Sequence, residues 1–302
     1  MSSRALFFIG LPCVAKHDSR REGQAAALVP IRYTVRVVTV PGLPPHQETT
    51  LATVLIPIPS HGFDPTETAV PWQVLTTLGH SVSFATPDGL RGEADERMLD
   101  GGGLGVLKSM LMADANGRRA YADMAASPGF ARPLRHAELG PDDFDGLMFP
   151  GGHAPGMKPY LESVALQALV AAAFQRRKPV GAICHGVVLA ARSRGADGRS
   201  VLFGKRTTAL TRQMELTAWA LTALWLGSYY RTYPTLVQDE VSAALASPSD
   251  FIAGPMSIQR DAPSRLGAGF TVRDGHYLSA RWPGDAHRFA NEFAGMLTTP
   301  GV

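Results

Sequence analysis

The sequence predicts an α/β domain with a mainly parallel sheet covered by helices on both faces. Short apolar runs alternate with helical patterns from residue 51 onward. Several of the strand-like runs end in glycine-bearing turns: Ser60-His61-Gly62, Pro150-Gly151-Gly152 and Cys184-His185-Gly186. Strand–helix–strand alternation implies right-handed crossovers and parallel pairing, and ligands of such sheets bind beyond the carboxyl ends of the strands. The glycine-bearing turns therefore converge on one rim.

The elements follow in order. Residues 1–50 are punctuated by Arg and Pro and lack a sustained period. Tyr33 to Val40 alternates like a strand until Pro41-Gly42 breaks it, and the segment reads as an extension of uncertain order. A domain is expected over residues 51–300. Leu51 to Ile58 is a buried strand by its short apolar run. Asp64-Pro65 supplies an N-cap and a first helical residue, Val70, Val74 and Leu78 recur every four residues, and Gly79 closes the helix. His80 to Ala85 is the next strand.

Residues 90–140 hold Gly101-Gly102-Gly103 and a helical stretch from Leu104 to Ala113. They read as an insertion placed to act as a lid. Phe144 to Phe149 is a strand, Val164 to Arg177 a helix with an apolar stripe, Pro179 to Ile183 a strand and Gly186 to Arg192 a helix. Ser200 to Ala209 is expected to be a strand and Met214 to Leu226 a long apolar helix. Phe270 to Ala280 reads as a hairpin turning at Arg273-Asp274-Gly275, and Ala286 to Leu297 as the last helix.

Composition narrows the function classes. The chain has 302 residues, 45% hydrophobic and 18% charged, with a formal net charge of +3. Lys and Arg are scattered rather than striped, which argues against nucleic acid as a partner. No apolar run reaches the roughly 18 residues of a membrane span. Ala5 to Leu11 follows Arg4 and is at the short limit of a signal-peptide core, but no A-x-A-like site follows, so an irregular extension or an upstream start is the expectation. The only cysteines are Cys13 and Cys184, too sparse for a disulfide framework, and they suit a reducing, cytoplasmic setting.

The chemistry centres on Gly181-Ala182-Ile183-Cys184-His185-Gly186. A small residue two before and two after a nucleophile is the arithmetic of a strand-to-helix elbow, because larger side chains there make strand and helix collide. A helix N-terminus favours the thiolate, so Cys184 is expected to have a depressed pKa. The alternative is a buried structural cysteine beside a satisfied histidine. His185 is the obvious proton carrier.

Spacing alone nominates no third group. Glu215 opens the helix after the strand expected near Thr208, and the alternative is a solvated acid in a first turn. Glu67 lies in the first turn of an earlier helix, where a dipole-stabilising role is the alternative. Gly151-Gly152 lets a backbone N–H approach a ligand, as an oxyanion hole requires, although a plain tight turn fits equally. His61 and His153 lack metal-ligand spacing, and no metal or other cofactor is expected.

These residues resemble the ThiJ/PfpI superfamily. The resemblance rests on AICHG at 182–186, PGGHAPG at 150–156, DPTETAVPW at 64–72 and ARWPGDAH at 280–287. It implies a flavodoxin-like three-layer sandwich of the class I glutamine amidotransferase-like type. It is nearest the branch of heat-shock chaperones with glyoxalase III activity, by the insertion at 90–140 and the long 200–235 segment. Carried over, Cys184 is the nucleophile, His185 its proton carrier, Glu67 the acid at the nucleophile and Glu215 the triad acid. Gly152 and the His185 N–H form the oxyanion hole.

The late His-x-Glu pair of true glutamine amidotransferases is missing, since His287 is followed by Arg288 and Phe289. The implied activity is cofactor-free conversion of 2-oxoaldehydes such as methylglyoxal to hydroxy acids by a homodimer acting on a small carbonyl substrate. Hydrolysis as an amidase, peptidase or deglycase, or a holdase chaperone role, stand as alternatives.

Overall fold

The computed structural model describes residues 51–298. The expected N-terminal extension, its strand at Tyr33 to Val40 and Cys13 lie outside the described residues.

The buried run that opens the described chain forms β1 (Thr53–Pro57), and parallel pairing grows outward from it. On one side lie β3 (Ser81–Thr86) and then the short β5 (Leu134–Arg135). On the other lie β6 (Gly146–Phe149), β7 (Val180–Ile183), β9 (Tyr277–Ala280) and β8 (Thr271–Asp274). Every neighbouring pair in this seven-stranded sheet is parallel except β8 with β9. The central strands β6 and β7 are buried along their whole length, as parallel strands covered on both faces must be. β2 (His61–Phe63) and β4 (Glu93–Ala94) pair in a separate two-stranded ribbon.

Helices pack in two groups. Pro65–Thr77 contacts Ala115–Ala125 and Ala286–Leu297, whereas Val164–Gln175 and Val237–Ala243 contact Gly186–Arg192. The expected α/β sandwich with a mainly parallel sheet is therefore present. The first helix begins as expected. Asp64 caps it, accepting from the Thr66 and Glu67 N–H groups at 2.8 and 3.0 Å, with Pro65 at the first helical position.

Two readings shift. The hairpin turn falls on Gly275-His276, one residue beyond the expected turn, because Asp274 still pairs with Tyr277. The strand expected over Ser200 to Ala209 does not form. The position beside β7 is held by β9, which pairs with it over Tyr277–Ala280, with β8 outside β9. The segment instead runs as turns, and Thr207 makes a single parallel bridge to Phe251. It is pinned by side chains, with Thr208 N–H donating to Ser279 Oγ at 2.9 Å. Among the described residues, no helix is long and apolar enough to cross a membrane.

Candidate active site

β7 ends at Ile183, and Cys184 turns the chain into the helix Gly186–Arg192. Cys184 has φ of +56°, a left-handed conformation that a non-glycine residue rarely holds. The small flanks are required. A Cβ on Gly186 would lie 2.3 Å from the Phe149 carbonyl oxygen and 2.8 Å from that of Pro150, and Ala182 is fully buried. The turn has the geometry of a nucleophile elbow.

The neighbouring strand end is bound to the start of the first helix. Gly151 N–H donates to Glu67 Oε2 at 2.8 Å, and the Gly151 carbonyl accepts from Asp64 N–H at 2.9 Å. Asp64-x-x-Glu67 has the spacing of a capping box, but Glu67 spends its side chain on the sheet edge rather than on its own N-cap. A Cβ on Gly151 would come within 2.7 Å of Glu67 Oε2 and of His185 N, so only glycine fits there. Gly152, the expected oxyanion-hole residue, lines the cavity beside Cys184.

Glu67 and Cys184 are both buried and act on each other. Burial, then the neighbouring Asp64 charge, raises the Glu67 carboxyl well above its usual range. Its Oε1 is buried without a hydrogen-bond partner of ordinary geometry. Burial, followed by the charges of Glu67 and Asp64, likewise pushes the Cys184 thiol up. The depressed pKa expected from the helix N-terminus is thus overturned: the His185 backbone N–H favours the thiolate, but desolvation and two adjacent carboxyls outweigh it.

His185 is buried and neutral, held down to about 3 by burial and then by His153 and Arg192. Its ring bridges two partners: Nδ1 lies 3.5 Å from Cys184 Sγ, and Nε2 lies 3.2 Å from Thr232 Oγ1. Thr232 Oγ1 donates its single proton to the His153 carbonyl oxygen at 2.8 Å. It must then accept from His185, which places the ring proton on Nε2 and leaves Nδ1 bare towards the thiol.

Glu215 is buried in the wall of the same cavity, but the structure does not bring it to the imidazole. Its Oε2 accepts from Val237 N–H at 2.9 Å, and its Oε1 faces Arg231 Nε at 3.7 Å. The start of its helix is tied to the Val237–Ala243 helix, with Arg212 N–H donating to Gln238 Oε1 at 2.8 Å and Arg212 Nε to Asp239 Oδ1 at 3.1 Å. Both ring nitrogens of His185 are already engaged. Burial raises the Glu215 carboxyl to about 7. The residue at the imidazole, Thr232, carries no sequence signal, since a lone Thr in a Tyr/Pro-rich loop has no distinguishing pattern.

The cavity at Cys184 measures about 170 Å³. Its walls are mainly apolar, with Met214, Ala218 and Leu221 from the helix Arg212–Leu226 and Met256 and Ile258 from a loop. Met98, Met110 and Leu111, from the 90–140 segment, supply part of the cavity wall. The segment is anchored by a second small apolar cluster of Met98, Leu104 and Tyr230. His153 also lines the cavity, stacked on Tyr230 with ring centres 4.2 Å apart, whereas His61 is exposed.

Residues 58–255 match the family described as ThiJ/PfpI family-like. The chain belongs to this family. A deglycase of Pyrococcus abyssi is 26% identical over 166 residues, covering 54% of this chain and 69% of the deglycase. An uncharacterized protein of Schizosaccharomyces pombe is 30% identical over 118 residues, and the match spans only 43% of that protein's length. Among solved structures, glyoxalase III of Candida albicans superposes with a TM-score of 0.60 at 18% identity, over 81% of this chain and 96% of that one. The rapid encystment protein of Francisella tularensis gives a TM-score of 0.61 at 16% identity, over 82% and 99%. At these identities the structural likenesses establish the ThiJ/PfpI fold.

Proposed function

We propose that this ThiJ/PfpI family member is a cofactor-independent cysteine enzyme that converts 2-oxoaldehydes to 2-hydroxy acids in the manner of glyoxalase III. The observation that carries the reading is the bare Nδ1 of a neutral His185 beside the Cys184 thiol. A thiol with a high pKa needs a base at hand, and a tautomer-locked imidazole supplies one.

The Cys184 proton passes to Nδ1 as sulfur adds to the aldehyde carbon. The proton is delivered to the new alkoxide, giving a hemithioacetal and a neutral ring. Nδ1 then takes the proton from that carbon to leave an enediolate and returns it to the adjacent carbon, while the hydroxyl proton of the former aldehyde carbon passes to the neighbouring oxygen. The product is a hydroxyacyl thioester, which water cleaves to the hydroxy acid and free thiol. Gly152 and His185 N–H groups stabilise the oxyanions, and Glu67 lies beside the sulfur.

A second reading, hydrolysis of a glycated adduct, uses the same thiol and draws support from the archaeal deglycase relative. Incubation with methylglyoxal in the absence of glutathione tests the first. Lactate formed by the wild type and not by Cys184→Ala supports it. Absence of lactate, with release of sugar-derived acid from a glycated thiol, supports the second. Suppression of aggregation by Cys184→Ala together with no turnover by the wild type overturns both in favour of a holdase.

A further inference from the structure

Several polar atoms of residues that line the cavity are used neither by the fold nor by the proposed chemistry. Arg260 Nη1, Trp282 Nε1 and Tyr230 Oη are buried and have no hydrogen-bond partner among the described residues. All of these residues line the cavity onto which Cys184 opens. Guanidinium and indole can only donate, and burial keeps the Tyr230 hydroxyl protonated by raising its pKa. Unpaired buried donors are rare, because each has given up water without a replacement. Several of them on residues that line one cavity are a feature of a ligand site.

The donors are held in place. Arg260 Nη2 donates to the Met112 carbonyl at 3.1 Å, and the guanidinium lies over the Trp282 ring at 5.2 Å. Opposing charge is present but engaged: the Asp95 carboxyl, which acts on Tyr230, accepts from the Tyr229 hydroxyl and the Arg97 N–H. Glu67 is raised well above its usual range, and Glu215 is raised to about 7 and faces Arg231. Asp64 is raised only to about 6 and opposes an anion, but it is engaged by two helix N–H groups and already lies within the field of Arg260. Volume adds a second constraint. At about 170 Å³ the cavity is comparable to the engineered apolar cavity of about 150 Å³ that takes up benzene, far roomier than a methyl group needs.

We propose that Arg260, Trp282 and Tyr230 form a carboxylate subsite, so that the preferred substrate is a carbonyl compound with an apolar body ending in a carboxylate. The inference deepens the proposed function and rests on it for the reactive carbonyl alone.

The test compares phenylglyoxal, para-carboxyphenylglyoxal and the methyl ester of the latter. In the wild type, kcat/KM for the carboxylate should exceed that for its ester by about tenfold, the usual scale of one charge-assisted hydrogen bond. Arg260→Gln should remove most of that preference, lowering kcat/KM for the carboxylate far more than for phenylglyoxal. Trp282→Phe, which keeps the stacked ring and removes the N–H, should remove part of it. Equal rates for carboxylate and ester in the wild type, or equal losses on every substrate in Arg260→Gln, overturn the subsite. A binding arm separates the two proposals. If no glyoxal turns over but benzoate, and not methyl benzoate, protects Cys184 from iodoacetamide in an Arg260-dependent way, the subsite stands and the reaction falls. If benzoate protects no better than methyl benzoate, the subsite falls whatever is turned over.

Discussion

His185 donates from Nε2 to Thr232 Oγ1 at 3.2 Å, and that one contact fixes which ring nitrogen meets the thiol. The Thr232 hydroxyl has its own proton committed to the His153 carbonyl, so its remaining capacity on this side is as an acceptor. An uncharged hydroxyl thus occupies the place that a carboxylate holds in serine-protease triads. It orients the ring without stabilising an imidazolium, in keeping with a histidine whose pKa is only about 3.

Thr232→Val should therefore lower kcat with little change in KM. The expected loss is about tenfold, well short of the ~10⁴-fold seen when a triad carboxylate is neutralised. Thr232→Ser keeps the hydroxyl and should restore most of the activity. A valine variant with wild-type turnover and an unchanged pH–rate profile would remove Thr232 from the machinery.

Glu215→Gln separates a clamp from a catalytic acid. The glutamine Oε still accepts from Val237 N–H, so turnover should stay within about threefold, against the ~10⁴-fold cost of losing a triad acid. Stability should respond instead. The folded pKa, about 7, lies above the ordinary carboxyl value of 4.5, so the native state binds the extra proton between them. The contribution of Glu215 is fully present below about pH 4.5 and is lost as pH rises through about 7. The Tm of the variant relative to wild type should accordingly climb across that window. A fall in turnover of about tenfold or more would return Glu215 to the triad.

The Cys184 thiol should alkylate slowly at neutral pH and faster as pH rises, since burial and the neighbouring carboxyls hold its proton on. Glu67→Gln removes one of those charges and should move the midpoint of iodoacetamide labelling down the pH scale. An upward move would mean that the protonated carboxyl acts chiefly as a donor to the thiolate. Labelling followed by peptide mapping reads both.

Gly186→Ala tests the elbow itself. Its Cβ would press on the Phe149 and Pro150 carbonyl oxygens, which belong to backbone and cannot swing away. Thermal unfolding should show a loss of about 1–3 kcal/mol, the range for overpacking a tight interior. A fully stable alanine variant would show that strand and helix have more room than the elbow geometry requires.

The sequence by itself determined the alternation of strands and helices, the Asp64 cap and the elbow at Cys184. Each is a local matter of apolar period, cap chemistry or small-residue spacing, and each is written within a few neighbouring residues. Glu67 and Gly151 were legible as candidates for the same reason, although their hydrogen bond joins positions 84 apart in the chain. Only the tertiary structure decided what surrounds the thiol. Burial reversed the direction of its pKa, because desolvation depends on everything packed around a group and not on its helix position. β9 pairs with β7 where a strand over residues 200–209 is expected, and the Glu215 carboxyl meets Val237 and Arg231. The loop that carries Thr232 to His185 has no periodic signature, since its position is set by the elements it spans rather than by its own residues.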